Sequence, residues 1–269
     1  MPVKLRMAYS PCPNDALLFY GVASGRLAPH GFDVSAHLHD VETLNRLALD
    51  ATYDVTKLSF HAYLLVREQY QLLNTGAALG FGCGPLLVAR RPLTRADLPN
   101  CRVAVPGELT TAHLLLRLWA PEVQHKQFVP YDRVMDLVRS GEVDCGILIH
   151  ESRFVYREAG LTCVQDLGAW WEERTGQPIP LGCIAARKSL GARTIAAFDA
   201  RLRETVLQTR AHPEEAAVYI REHAIETDEQ VLQQHIRMFV TDFSVDLGPT
   251  GHAAVATLEK LARRAGVIA

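Results

Sequence analysis

The chain has 269 residues, of which 48% are hydrophobic and 22% are charged, a composition that is typical of globular proteins and excludes a disordered or fibrous chain. Its 28 basic and 30 acidic residues give a net charge of -2, so neither nucleic acid nor a membrane surface is an expected partner. A chain of this length suits one large domain or two lobes.

The sequence also lacks the signals of export, membrane insertion and metal binding. No apolar segment near the N-terminus has the length of a signal-peptide core, and no apolar run reaches the roughly 18 residues of a transmembrane helix. The six cysteines form no CxxC pair, which predicts reduced thiols in a cytoplasmic protein. The histidines share no spacing typical of a metal site, so no metal is expected. The sequence is compatible with an oligomer and leaves the oligomeric state open.

Short β-like runs alternate with helical runs along most of the chain, a rhythm that predicts parallel sheets covered by helices. Strands are predicted over Lys4–Tyr9, Asp33–His39, Asp54–Leu58, Pro85–Ala89, Arg102–Val105, Phe128–Pro130 and Gly146–Ile149. Helices are predicted over Ala16–Ala23, Val41–Asp50, residues 60–70, Ala112–Trp119, Tyr131–Ser140 and most of the chain after Thr194, with breaks near His212 and over Thr241–Gly251. Asn14 or Asp15 is the expected N-cap of the first helix.

Two segments are predicted to connect the halves of an α/β molecule. Arg90–Thr94 is predicted to cross between the lobes, and residues 178–189 are predicted to return as a strand. The predicted lobes are therefore residues 1–93 together with 188–269, and residues 94–187. In parallel α/β sheets, ligands bind beyond the carboxyl ends of the strands, which directs attention to the strand-to-helix junctions.

Several junctions share one design, in which a strand runs through hydroxyl or amide side chains into a helix. They are Ser10–Asp15, Lys57–Ser59 and Gly107–Ala112. The first turn of a helix leaves N–H groups unpaired and carries partial positive charge, so these turns suit a carboxylate or phosphate. The alternative is that Ser59 and Thr110 or Thr111 only cap their helices. The glycine-rich residues 80–84 are predicted to form a turn rather than a phosphate-binding loop.

His150 follows the continuous apolar run 146–149, which is typical of a central strand buried on both faces. An imidazole with an ordinary pKa of about 6.5 suits a general base there, and a structural histidine is the equal alternative. Glu151 would orient the imidazole or be solvated. Arg153 would pair with a carboxylate of the ligand or of the protein.

Two further features have a simpler alternative. Cys12 lies at a helix N-terminus, which lowers a thiol pKa and would suit a nucleophile, but the sequence identifies no companion base. Trp170 and Trp171 would line an aromatic pocket or, as adjacent aromatic residues usually do, pack into a core.

Longer motifs at these junctions resemble those of one enzyme family. They are SPCPND (10–15), DVETLNRLAL (40–49), TKLSFHAY (56–63), VAVPGELTTA (103–112), GILIHESRF (146–154) and LGAWWEERTG (167–176). They span nearly the whole chain, which is similar to the 1,4-dihydroxy-6-naphthoate synthases of the futalosine route to menaquinone. The resemblance implies the fold of type II periplasmic binding proteins, in which two α/β lobes joined by a two-strand hinge enclose a ligand.

The resemblance also implies a reaction and a set of site residues. The family converts cyclic dehypoxanthine futalosine, a small anionic substrate, to 1,4-dihydroxy-6-naphthoate without a metal or organic cofactor, and releases a sugar-derived fragment. His150 corresponds to the base proposed for the family. The substrate-binding residues that the family motifs and the junctions together predict are Lys57, Leu58, Ser59, Thr111, Ala112, Ser10, Asn14 and Arg153.

One departure and two alternatives accompany this resemblance. Glu108 precedes the Thr pair, and an inward carboxylate there would weaken the assignment of Thr111 to an anion site. SPCPND is shared with chorismate dehydratase of the same route, which is the nearest competing assignment, although residues 150–154 and 168–176 favour the naphthoate synthases. The same fold would also serve a non-catalytic cytosolic protein that binds a carboxylate.

Overall fold

A computed structural model describes residues 2–224 and 228–268, which form two β-sheets with helices packed around them. The strands are β1 (Val3–Tyr9), β2 (Phe32–Leu38), β3 (Val55–Ser59), β4 (Tyr70–Leu72), β5 (Ala78–Gly80), β6 (Leu86–Ala89), β7 (Val103–Val105), β8 (Lys126–Phe128), β9 (Cys145–Leu148), β10 (Thr162–Asp166) and β11 (Ile179–Arg187). The α-helices are α1 (Pro13–Ala23), α2 (Val41–Leu49), α3 (Phe60–Val66), α4 (Thr111–Trp119), α5 (Val134–Ser140), α6 (Ser152–Val155), α7 (Leu167–Thr175), α8 (Ala192–Ala211), α9 (Ala217–His223), α10 (Glu229–Phe239) and α11 (Gly248–Arg264).

Both sheets are mixed, which corrects the prediction of parallel sheets. The first sheet has the order β2-β1-β3-β11-β4, with β5 also pairing with β11. Its strands β1, β2 and β3 are parallel, whereas β11 is antiparallel to its neighbours. The second sheet has the order β10-β6-β9-β7-β8, in which β7 is parallel to β8 and β9 while β6 is antiparallel to β9 and β10. The strands that run against the others are those that enter from the opposite sheet.

Sheet pairing moves both predicted lobe boundaries. Because β6 belongs to the second sheet, the chain leaves the first sheet between Gly80 and Leu86 rather than over Arg90–Thr94, which is mostly exposed. It returns between Asp166 and Ile179, since β11 belongs to the first sheet. Boundaries at 93/94 and 187/188 would therefore assign β6 and β11 to the wrong sheets.

The two connections come into contact at a pair of glycines. A Cβ atom added to Gly84 would lie 2.2 Å from the Cα atom of Gly168, and one added to Gly168 would lie 2.6 Å from the Cα atom of Gly84. The Leu167 N–H donates to the Pro85 carbonyl at 2.9 Å beside this contact. Only glycine allows two backbones to approach so closely.

Most predicted elements agree with the structure, apart from three local differences. The strand predicted over Phe128–Pro130 lies over Lys126–Phe128. The helix predicted over residues 60–70 ends at Val66, and Tyr70–Leu72 is a strand. The N-cap of α1 is Cys12 rather than Asn14 or Asp15, because Pro13 occupies the first helical position, where a missing N–H costs nothing. Asn14 and Asp15 consequently lie inside the first turn, both buried.

The largest apolar cluster joins the two sheets. It contains Leu58 of the first sheet, Leu87 and Val105 of the second, and the helical residues Phe60 and Trp171. Apolar burial is the main source of stability, so the contact between the lobes belongs to the folded core. Among the described residues, none of the helices has the length and apolar character that a membrane crossing requires.

Candidate functional site

A cavity lies between the two sheets at the carboxyl ends of β1, β3, β7 and β9, with about 710 Å³ of empty space including its opening. The predicted site residues all line this cavity: Ser10, Asn14, Lys57, Leu58, Ser59, Thr111, Ala112, His150 and Arg153. Sequence reasoning missed several other lining residues, among them Val41, Pro85, Leu181 and Phe239. Leu181 and Phe239 are apolar residues with no local motif, and they reach the cavity only through the packing of β11 and α10.

Asp15 and Lys57 form a buried ion pair on the cavity wall. Lys57 Nζ lies 2.6 Å from Asp15 Oδ1, and both side chains are less than a tenth exposed. The hydroxyl and the N–H of Ser10 both donate to Asp15 Oδ2, at 2.8 Å and 3.3 Å. Lys57 therefore brings a positive charge to the cavity that is largely neutralised by the protein itself.

The hydroxyl groups near the helix starts have different hydrogen-bonding roles. Thr110 caps α4, since its hydroxyl accepts from the His113 N–H at 3.2 Å. Ser59 caps nothing, because its hydroxyl oxygen accepts from Asn45 Nδ2 at 3.0 Å. Thr111 donates its hydroxyl proton to the Leu181 carbonyl at 2.7 Å. Among the described residues, no acceptor is recorded for the Ser59 proton, so Ser59 is the best placed of these hydroxyls to donate to a ligand.

Glu108 points away from the cavity. Its side chain is 52% exposed and lies 3.2 Å from Arg46 of α2. The backbone N–H groups of Glu108 and Leu109 donate to the Glu42 carboxylate at 3.1 Å and 3.0 Å. Glu108 therefore places no negative charge beside Thr111, and the assignment of Thr111 to an anion site is not weakened. Glu42 connects α2 of the first lobe to the loop after β7 of the second.

His150 occupies a strained position at the end of β9. Its φ of +55° lies in the left-handed region, which non-glycine residues rarely adopt and which is concentrated at functional sites. Burial lowers the pKa of its imidazole to about 4, and the nearby Glu151 carboxylate offsets only part of this effect. The ring is consequently neutral near pH 7 and can accept a proton from a ligand in the cavity.

Cys12 lies beside His150, with its sulfur 3.9 Å from His150 Nε2, a proximity that the sequence could not reveal. The expectation of a lowered thiol pKa is wrong. Burial raises the pKa of the Cys12 thiol, and the Glu151 and Asp15 carboxylates raise it further. The thiol is therefore protonated at neutral pH, which argues against a nucleophilic role.

Arg153 pairs with groups of the protein. Its guanidinium donates to the Gly82 carbonyl at 2.8 Å and lies 3.7 Å from Asp166 Oδ2. The sequence left two partners open for Arg153, a carboxylate of a ligand or one of the protein, and the structure shows the latter, Asp166. Because Gly82 belongs to the connection between the sheets, Arg153 also fixes one edge of the cavity.

The Trp pair and the glycine-rich segment are structural. Trp171 is fully buried and donates to the Pro178 carbonyl at 3.1 Å, while Trp170 contacts Arg174; neither tryptophan lines the cavity. Residues 80–84 run from the end of β5 through a bend at Phe81 and Gly82 into an irregular segment whose Cys83 and Gly84 reach the cavity.

No described set of three or more His, Cys, Asp or Glu side chains has an arrangement suited to a metal ion. The described residues bring to the cavity a neutral imidazole, hydroxyl groups and helix N-termini, beside a buried ion pair. Such a site can remove a proton from a bound anion and hold its carboxylate.

Comparison with known proteins agrees with this geometry. Residues 5–264 match a family model described as menaquinone biosynthesis. The chain is 49% identical to the 1,4-dihydroxy-6-naphthoate synthase of Thermus thermophilus, covering 98% of this chain and 96% of the relative. A crystal structure of an Archaeoglobus fulgidus protein, 36% identical, superposes with a TM-score of 0.91 over 98% of both chains.

A more distant likeness concerns the fold alone. The periplasmic aliphatic sulphonate binding protein of Escherichia coli superposes with a TM-score of 0.68 at 12% identity, covering 100% of this chain and 89% of that one. The predicted likeness to periplasmic binding proteins is confirmed. The family model and the Thermus thermophilus relative show that the chain belongs to the 1,4-dihydroxy-6-naphthoate synthase family of menaquinone biosynthesis.

Proposed function

We propose that the protein converts cyclic dehypoxanthine futalosine to 1,4-dihydroxy-6-naphthoate and that His150 is the general base. The observation that carries this proposal is the imidazole of His150, which is neutral at pH 7 and lies on the wall of the interlobe cavity. Forming the aromatic product requires a proton to leave the carbon ring, and a positioned imidazole accelerates such a step by about a hundredfold to ten-thousandfold.

The substrate carboxylate is proposed to lie near Ser59 and the N-terminus of α4. Ser59 lines the cavity with a hydroxyl oriented by Asn45, and α4 begins at Thr111 with its first-turn N–H groups at the same wall. A carboxylate favours this end of a helix because the backbone dipoles and unpaired N–H groups attract negative charge.

Closure of the lobes is proposed to exclude water during the reaction. The Glu42 carboxylate holds two backbone N–H groups of the opposite lobe, which supports a closed state. Water exclusion strengthens electrostatic interactions and protects reactive intermediates.

Replacing Ser59 with alanine is expected to raise KM by about tenfold to a hundredfold with a smaller effect on kcat, because a hydrogen bond to a charged group contributes about 1.5–3 kcal/mol. Steady-state kinetics with cyclic dehypoxanthine futalosine measures this change. Ser35→Ala, which alters an exposed serine of β2, is the matched control and should leave KM unchanged. An unaltered KM in the Ser59 variant would exclude this residue from the carboxylate site.

Turnover is expected to persist well below neutral pH and to fall by half near pH 4. Lower pH protonates the imidazole, and burial lowers the pKa of His150 to about 4, so the neutral base is lost only as the pH falls through that value. The dependence of kcat/KM on pH measures this midpoint, with circular dichroism at each pH to verify folding. A midpoint near the ordinary value of about 6.5 would contradict the assignment.

Two assays separate this function from its alternatives. Incubation with chorismate, monitored by mass for loss of water, tests for a dehydratase. Tight binding of cyclic dehypoxanthine futalosine without product would instead indicate a binding protein. The identity to a naphthoate synthase supports the first function over both.

A further inference from the structure

A chain of buried polar side chains runs beside His150, behind the cavity wall. Asn14 Nδ2 donates to Asp15 Oδ1 at 2.9 Å, and His235 Nε2 lies 2.8 Å from Asn14 Oδ1. The other ring nitrogen of His235 lies 3.5 Å from Glu151 Oε2. His235 is 0% exposed and Glu151 only 9% exposed, so each group must satisfy its polar atoms within the protein.

The surroundings of Asp15 fix which ring nitrogen of His235 carries a proton. The Asp15 carboxylate accepts from the Lys57 ammonium group and from the Ser10 hydroxyl. A carboxylate can only accept, so the amide nitrogen of Asn14 must face it and the amide oxygen must face His235. An amide oxygen also only accepts, and the Nε2 atom of His235 is consequently protonated.

A second proton is needed on the other side of the ring. Burial raises the pKa of Glu151, but His235 and His150 outweigh burial, and the pKa lies below its ordinary value. If Nδ1 carried no proton, its lone pair would face a lone pair of the ionised Glu151 carboxylate, and the two would repel each other. Among the described residues, neither Nδ1 of His235 nor Oε2 of Glu151 has another hydrogen-bond partner. A proton on Nδ1 would replace this repulsion with an ion-pair contact across the 3.5 Å between the two atoms, and it would make His235 an imidazolium ion.

We propose that His235 pairs with Glu151 as an imidazolium ion at neutral pH, and that this pair positions and tunes His150 for proton transfer. The effect on catalysis depends on the proposed function, whereas the ion pair itself does not. The rings of His150 and His235 are stacked, with centroids 5.8 Å apart and planes 9° apart, and Glu151 follows His150 in the chain. Neither His235 nor Glu151 lines the cavity, so both act through His150 and not on the substrate.

The two members of the pair act on His150 in opposite directions. The Glu151 carboxylate stabilises the charge that His150 gains when it accepts a proton, and the His235 imidazolium opposes it. The other titratable groups around His150 are Cys12, Asp15, Lys57 and Tyr131, and none of these residues is replaced when the pair is altered. Removing either member of the pair should therefore shift the His150 titration with a known sign.

The imidazolium is tested directly by nitrogen NMR of ¹⁵N-histidine-labelled wild-type protein without substrate. Both ring nitrogens of His235 are expected to carry protons at neutral pH, with the signals assigned by their loss in His235→Gln. One bare ring nitrogen at neutral pH would overturn the proposal. Because no substrate is present, failure of the proposed function would not alter this result.

The coupling to His150 is tested by two variants. Glu151→Gln can donate an amide N–H to Nδ1 and removes both charges with little change of shape, so the titration midpoint of His150 should fall by about one pH unit. His235→Gln leaves the carboxylate unbalanced, and the midpoint should rise by a similar amount. The same opposite shifts are expected in the acid side of the kcat/KM profile.

His252→Gln, which alters an exposed histidine of α11, is the matched control and should shift neither midpoint. Thermal melting of each variant verifies folding. If both variants lose activity but leave the His150 titration where it is in the wild type, the two residues serve only the fold and the proposal is wrong. Should His235→Gln fail to fold, the His235 signals are assigned in Glu151→Gln, where the Nδ1 proton should be lost, and this variant still decides the question.

Discussion

Replacing His150 with asparagine is expected to lower kcat by about a thousandfold while the protein stays folded. Loss of a general base usually costs a hundredfold to ten-thousandfold in rate. Asparagine tolerates the left-handed backbone at this position better than other non-glycine residues do, so the loop after β9 should keep its shape. Formation of 1,4-dihydroxy-6-naphthoate from cyclic dehypoxanthine futalosine, followed by mass spectrometry, measures the loss.

His150→Ala should be equally inactive but less stable than His150→Asn by about 1 kcal/mol, because alanine tolerates positive φ less well than asparagine does. His252→Asn, on the far helix α11, should retain full activity. Near-wild-type turnover in either His150 variant would show that another group removes the proton. A KM close to the wild-type value in His150→Asn would place the residue in the chemical step and not in binding.

Replacing Gly84 with alanine is expected to lower the free energy of unfolding by about 3 kcal/mol, the upper range for overpacking a core. The added Cβ would lie 2.2 Å from the Cα and 2.4 Å from the nitrogen of Gly168, and backbone atoms cannot rotate away as a side chain can. Urea unfolding measures this loss. The variant should also lose activity, because Gly84 and its neighbours Cys83 and Pro85 line the cavity.

Gly80→Ala is the matched control, because a Cβ there would lie 3.4 Å from the Cys83 sulfur, an ordinary contact. It should change stability by less than about 1 kcal/mol. Gly168→Ala should resemble Gly84→Ala. The double variant should lose less stability than the sum of the two single losses, because one separation of the two connections relieves both clashes. Wild-type stability in Gly84→Ala would show that the two connections can separate freely.

The sequence predicted the parts of the site that depend on local pattern. Strand ends and helix starts are readable from apolar runs and hydroxyl residues, and for this reason Ser59, Thr111 and His150 were identified and all line the cavity. The resemblance to the family motifs selected His150 from the other histidines as the expected base. The roles of Ser59 and Thr110 remained open, because a hydroxyl at a helix start has the same local pattern whether or not it caps.

The rest depended on long-range contacts that no local pattern encodes. His235 lies 85 residues from His150 along the chain, on a helix whose sequence gives no sign of a functional position. The lobe boundaries were misplaced because β6 and β11 have the same apolar character in either sheet, and only their pairing decides where they belong. The pKa of Cys12 was misjudged because burial and two carboxylates, rather than the helix N-terminus, dominate its surroundings.

The Glu42 contact bears on the free-energy cost of separating the two lobes. Its hydrogen bonds join a carboxylate of one lobe to backbone N–H groups of the other, and all of these groups can be hydrated when the lobes separate. Breaking each such bond therefore changes the free energy of separating the lobes by only about 1–3 kcal/mol net. In the proposed closure, open and closed forms separated by so small a difference would coexist, and a ligand that contacts both lobes would shift the population toward the closed form by the difference between its affinities for the two forms.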